Sequence, residues 1–128
     1  MAKVLAMRGH KDLIAWQKAM ELVTEIYSAT RTFPKEELYG LVSQLRRAAV
    51  SVPSNLAEGY SRNSRNEFHH FVRQARGSLA EIETQVEIAK NLNYVPVEIC
   101  TALTERIDEV GRLLTGLRAW SAKAVPGS

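Results

Sequence analysis

A few residue pairs and runs in this chain have types and spacings that bear on chemistry. Glu67-x-x-His70 sets a carboxylate and an imidazole three residues apart. That is the spacing of half of a dinuclear metal site in bundle carboxylate proteins. The full site needs a second Glu-x-x-His and two more glutamates, and the other histidines, His10 and His69, do not offer that spacing. No metal set is therefore expected, and His69-His70 read as exposed helix residues. Cys100 lies on an apolar row, where a free thiol packs as a small hydrophobe. Ser51 and Ser54 have no histidine near them in the pattern, and no glycine-rich phosphate loop is present. Gly77-Ser78 falls in mid-helix, where the absent side chain is expected to permit close helix approach. The sequence holds no catalytic constellation, and neither a cofactor nor a small-molecule substrate is implied.

Arginine is what remains. Residues 46–76 carry Arg46, Arg47, Arg62, Arg65, Arg73 and Arg76 against Glu58 and Glu67, a local charge of +4. Residues 77–128 carry five basic and seven acidic side chains, a local charge of −2. The candidate nucleic-acid contacts are Arg62, Arg65, Arg73 and Arg76, which can meet phosphates, with Tyr60 and His69 available for stacking. A solvated helical face has the same appearance in sequence. Arg46 and Arg47 suit this role less, because Arg47 is a candidate for burial.

Two polar rows run beside the apolar ones. Gly40, Gln44, Arg47, Ser51, Asn55 and Glu58 form one, and Glu67, His70, Gln74, Ser78, Glu81 and Gln85 the other. If the rows face each other, Arg47 can pair with Glu81, and Asn55 and Glu58 can join a polar network. Such a network fixes register more than it adds stability. Solvent faces, a network within or between chains, and a ligand site are the three readings of these rows.

The elements that position these groups follow from apolar spacing. Asp12 is an expected N-cap. Leu13, Trp16, Met20, Val23, Tyr27 and Thr30 then recur at three- and four-residue steps, the seam of a packed helix that ends at Phe33-Pro34. A second helix is predicted from Lys35–Glu37, with its stripe at Leu38, Leu41, Leu45, Ala49, Val52 and Leu56. Pro53 lies inside that stripe and is expected to kink the helix rather than end it. Ser64 or Asn66 caps a third helix, whose stripe is Phe68, Phe71, Ala75, Leu79, Ile82, Val86 and Ala89. The fourth follows Pro96, with its seam at Cys100, Leu103, Ile107, Val110, Leu114 and Leu117, and ends by Trp120. Helices of about 20–27 residues joined by short connections are expected to pack antiparallel. The fold class is all-α, an up-down-up-down four-helix bundle over residues 10–120, with flexible ends at 1–9 and 121–128.

Composition agrees. The 128 residues are 45% hydrophobic and 24% charged, with 4 prolines and 7 glycines, an ordinary balance for one globular domain. The single cysteine leaves no internal disulfide, no stretch is apolar enough for a membrane span, and no signal peptide is evident. A cytoplasmic protein without membrane contact is the expectation.

The run Gln44-Leu45-Arg46-Arg47-Ala48-Ala49 through Val52-Pro53-Ser54-Asn55-Leu56-Ala57-Glu58-Gly59 resembles the signature of the four-helix-bundle family of 23S rRNA intervening-sequence proteins. The run Ala75-Arg76-Gly77-Ser78-Leu79-Ala80-Glu81-Ile82-Glu83-Thr84-Gln85 is similar to the family's second signature. Leu13 through Ala19 and Phe33-Pro34 also fit, so the resemblance covers about residues 10–120. It implies the same bundle and a ring-shaped homopentamer. A related branch serves as accessory proteins of diversity-generating retroelements and associates with nucleic acid and reverse transcriptase; the net charge of +3 here is more modest than in that basic branch. The family name records where some of the genes lie, within insertions of ribosomal-RNA genes. Apolar residues beyond one seam, among them Ile14, Ile26, Leu92 and Trp120, also favour self-association. The expected function is that of a non-enzymatic homo-oligomer serving as an RNA- or DNA-binding accessory module. The alternative is a protein–protein adaptor with no nucleic-acid role.

Overall fold

The computed structural model describes residues 8–122, and among these there is no strand. Four helices follow one another: α1 (Ile14–Thr30), α2 (Leu41–Tyr60), α3 (Arg65–Asn91) and α4 (Val97–Ser121). Short 3-10 turns at His10–Asp12 and Lys35–Glu37 precede the first two. The ends expected at 1–9 and 121–128 lie outside the described residues, apart from Arg8, Gly9, Ser121 and Ala122. Ser121 is the last residue of α4 and is buried, so the bundle extends one residue past the expected boundary.

Each helix packs on its two neighbours in sequence order, and α1 also meets α4, so the four form a closed cycle. Pairing across the helices runs in opposite directions. Along α2 and α3, Gly59 lies against Phe71, Ser51 against Ser78 and Gln44 against Gln85. Along α3 and α4, Phe68 meets Trp120 edge to face while Leu79 borders Gly111. Neighbours are thus antiparallel, as short loops between matched helices require.

The buried rows of α2, α3 and α4 follow the predicted stripes, except that Leu38 precedes α2 and is half exposed, and that in α3 Val72 rather than Phe71 is fully buried. Leu45, Val52, Leu56, Val72, Ala75, Ile82, Val110 and Leu114 are each almost fully excluded from solvent. In the α1 segment Leu13 and Thr30 are buried as expected, but between them the seam lies one residue from its expected place. Ala15, Ala19, Leu22 and Ile26 are buried, whereas Met20 and Tyr27 stay exposed and Trp16 and Val23 pack only in part. Both rows are apolar, and the row with the two alanines faces the core, which leaves the larger Trp16, Met20 and Tyr27 on the flanks. Ile26 is therefore core rather than surplus, and Trp120 is partly packed; Ile14 and Leu92 do remain exposed.

The termini follow local chemistry. Leu13 occupies the N-cap of α1, not Asp12, whose carboxylate instead accepts from the Arg8 N–H at 3.0 Å. Helix α2 starts at Leu41 rather than near Lys35, because Lys35–Glu37 closes as a 3-10 turn. Glu37 still serves α2, its Oε1 accepting from the Leu41 N–H at 3.2 Å. Pro53 has no N–H for the Ala49 carbonyl, yet α2 is one helix to Tyr60. Ser64 caps α3, its Oγ accepting from the Glu67 N–H. At the far end Asn93, with φ of 60°, takes the left-handed position, while Tyr94 N–H reaches Ala89 and Asn93 N–H reaches Lys90.

Candidate nucleic-acid interface

The four arginines expected to meet phosphates do not form one patch. Arg62, in the α2–α3 turn, pairs with Glu58 at 2.8 Å and lies 5.3 Å from the Phe71 ring. Arg65 is turned onto the end of α4. Its Nη2 donates to the Trp120 carbonyl at 2.7 Å, and its guanidinium sits 4.3 Å from the Trp120 ring centre. A cation at the last carbonyls of a helix meets the negative end of the macrodipole. His69 joins the same corner through Nδ1 and the Ser121 Oγ, 2.8 Å apart. Two of the four are thus engaged in holding the bundle together.

Arg73 and Arg76 are differently placed. Arg73 is exposed, and Arg76 lines a groove between α3 and α4, about 500 Å³ in volume, whose floor includes Leu79, Ala80 and Gly111. Arg112 lines the same groove from the α4 side. Arg118 lies seven residues beyond Gly111, two turns along the face that α4 turns to α3. None of Arg73, Arg76, Arg112 and Arg118 pairs with a carboxylate among the described residues. No acid occurs in residues 68–80 or 110–122, the facing stretches of α3 and α4. Glu83 and Asp108 enter the groove only toward its other end. The positive potential therefore gathers at the end of the bundle where α3 begins and α4 finishes.

Arg112 and Arg118 were not legible as site residues. They sit in a stretch whose summed charge is negative, and only the antiparallel pairing brings them beside Arg76. Their signal in sequence was the absence of acids after Glu109.

The two polar rows do face each other across α2 and α3. Ser51 and Ser78 are hydrogen-bonded at 2.8 Å, and the Asn55 amide donates to the Ser51 carbonyl and Oγ. Gln85 Nε2 reaches Gln44 Oε1 at 3.5 Å. The anticipated Arg47–Glu81 pair is not formed. Both residues are exposed, and Glu58 turns to Arg62 instead. Exposed charges keep their hydration, whereas small uncharged groups close the interface without that cost. Gly77 also departs from expectation, since a Cβ there would meet nothing within 4 Å. The close approach is at Gly59, where a Cβ would lie 2.7 Å from Phe71 Cβ.

Among the described residues no group of three or more His, Cys, Asp or Glu could hold a metal ion, and Cys100 is buried. No described helix is long and apolar enough to cross a membrane. The family model described as "23S rRNA-intervening sequence protein" matches residues 11–116. A crystal structure from Bacteroides thetaiotaomicron, a protein of unknown function from the S23 ribosomal protein family, shares the fold with a TM-score of 0.76 at 19% identity. The match covers 82% of this chain and 98% of that one. No curated protein matches the chain.

Proposed function

The chain belongs to the 23S rRNA-intervening sequence protein family, and we propose that it is a non-enzymatic, cytoplasmic homo-oligomer, a pentamer by the resemblance noted above, that serves as an RNA- or DNA-binding accessory module. The observation that carries this reading is that Arg73, Arg76, Arg112 and Arg118 lie on stretches of α3 and α4, residues 68–80 and 110–122, that hold no acid, and form no ion pair among the described residues. Arginines without carboxylate partners attract a polyanion, and each phosphate contact releases condensed counterions. The face offers guanidinium groups and few aromatic rings, so contact is to the phosphate backbone and independent of base sequence.

The test is retention of nucleic acid through purification. Wild-type protein purified without nuclease is expected to carry absorbance at 260 nm that nuclease removes. A variant with Arg73, Arg76, Arg112 and Arg118 changed to Glu is expected to lose it while keeping its helical circular dichroism. Undiminished retention by that variant rejects the reading and favours the protein-adaptor alternative.

A further inference from the structure

We propose, resting on the self-association in that reading, that the α1–α2 groove of one copy receives the α3–α4 groove of a second copy. The first groove, about 480 Å³, has Arg46 and Arg47 as its only charged lining residues, set among Leu38, Tyr39 and Val50. The second, about 500 Å³ and lying beyond the arginine end, has Glu83 and Glu87 as its only charged lining residues, beside Ile88. Tyr39 is 93% exposed, Leu38 50%, Val50 41% and Ile88 42%. Each groove thus pairs exposed apolar surface with a charge that the other complements, which favours docking in one register and disfavours like against like.

Height along the bundle is what selects a second copy over a foreign acidic protein. The Gln44–Gln85 hydrogen bond marks one level, and residues 38–50 of the first groove and 83–91 of the second both bracket it. The grooves lie on opposite sides of the cycle of helices, since α1–α2 and α3–α4 are the opposing pairs. A sideways neighbour with no axial shift therefore sets one groove on the other. A foreign partner would satisfy one surface and leave the other open. Such a contact is heterologous, and repetition without axial rise closes into a ring when the rotation permits. Arg73, Arg76, Arg112 and Arg118 lie toward the other end of each bundle, so every copy presents them on the same rim, which multiplies a weak attraction for one long polyanion.

The experiment is light scattering on wild type, Val50→Glu, Ile88→Glu and an equimolar mixture of the two variants. The positions are half exposed, so helical circular dichroism should be unchanged. Wild type is expected to have a mass of several chains and each variant the mass of one. The mixture is expected to give two-chain particles, because one intact face survives on each variant. A second series, Arg47→Glu, Glu87→Arg and the double variant, should show weakened assembly in the singles and recovery in the double. Variants that keep the wild-type mass in both series, or a mixture that stays at one chain, overturn these faces while leaving self-association standing. A wild-type mass of one chain overturns self-association itself.

Discussion

Gly59 and Gly77 both lie inside helices, where glycine is less favourable than any residue but proline, but in opposite surroundings. At Gly59 a methyl group would be forced against Phe71 Cβ at 2.7 Å, between the backbones of α2 and α3. Gly59→Ala is expected to destabilise the fold by about 1–3 kcal/mol, as overpacking does. At Gly77 a methyl would meet nothing, so Gly77→Ala should stabilise by about 0.5–1 kcal/mol through helix propensity alone. Urea denaturation midpoints moving in opposite directions would check both. The arginines divide in the same manner. Arg65→Ala removes a charged hydrogen bond to Trp120 and a stacked ring, and should lower stability by about 2 kcal/mol. Arg73→Ala should leave the denaturation midpoint within about 0.5 kcal/mol and weaken nucleic-acid binding. The sequence offered both as equals, because which way an arginine turns depends on partners more than fifty residues distant.

Helix existence and most apolar faces were legible, because α2, α3 and α4 each have one dominant row. Helix α1 has two adjacent apolar rows, and weighing large side chains over Ala15 and Ala19 chose the outer one. Helix-to-helix clamps were not legible, since they join distant residues. Arg106 of α4 reaches Glu21 at 3.1 Å and Glu25 at 2.9 Å on α1, with Glu109 of its own helix at 3.0 Å. Arg106→Ala should cost about 1 kcal/mol at low salt, and the difference from wild type should shrink near 1 M salt, where surface ion pairs are screened. At the opposite junction Glu37 holds both the α2 N-terminus and the Tyr94 hydroxyl, which donates to Oε2 at 2.9 Å. That hydrogen bond, aided by the neighbouring carboxylate charges, raises the Tyr94 pKa above the ordinary phenol value. On alkaline titration the unfolded chain therefore releases this proton first. The contribution is full below the ordinary phenol value and is lost as pH rises through the raised one. Tyr94→Phe should show a shallower loss of stability over that alkaline range, measured against wild type by thermal melts.

At the scale of the molecule, four helices sort charge along their common axis. The facing stretches 68–80 of α3 and 110–122 of α4 are arginine-bearing and hold no acid, while Glu83 and Glu87 lie further along α3, beside Ile88. The bundle was legible in the sequence. The sorting was not, because the positive end is shared by two helices whose stretches differ in summed charge. Salt dependence of binding tests the central claim most directly. Anisotropy of a labelled duplex should give an affinity that falls with salt at a log–log slope of about −3 to −4 for four phosphate contacts per chain. The slope should approach zero when Arg73, Arg76, Arg112 and Arg118 become Gln. Binding indifferent to salt in the wild type, or an unchanged slope in the variant, would contradict the account.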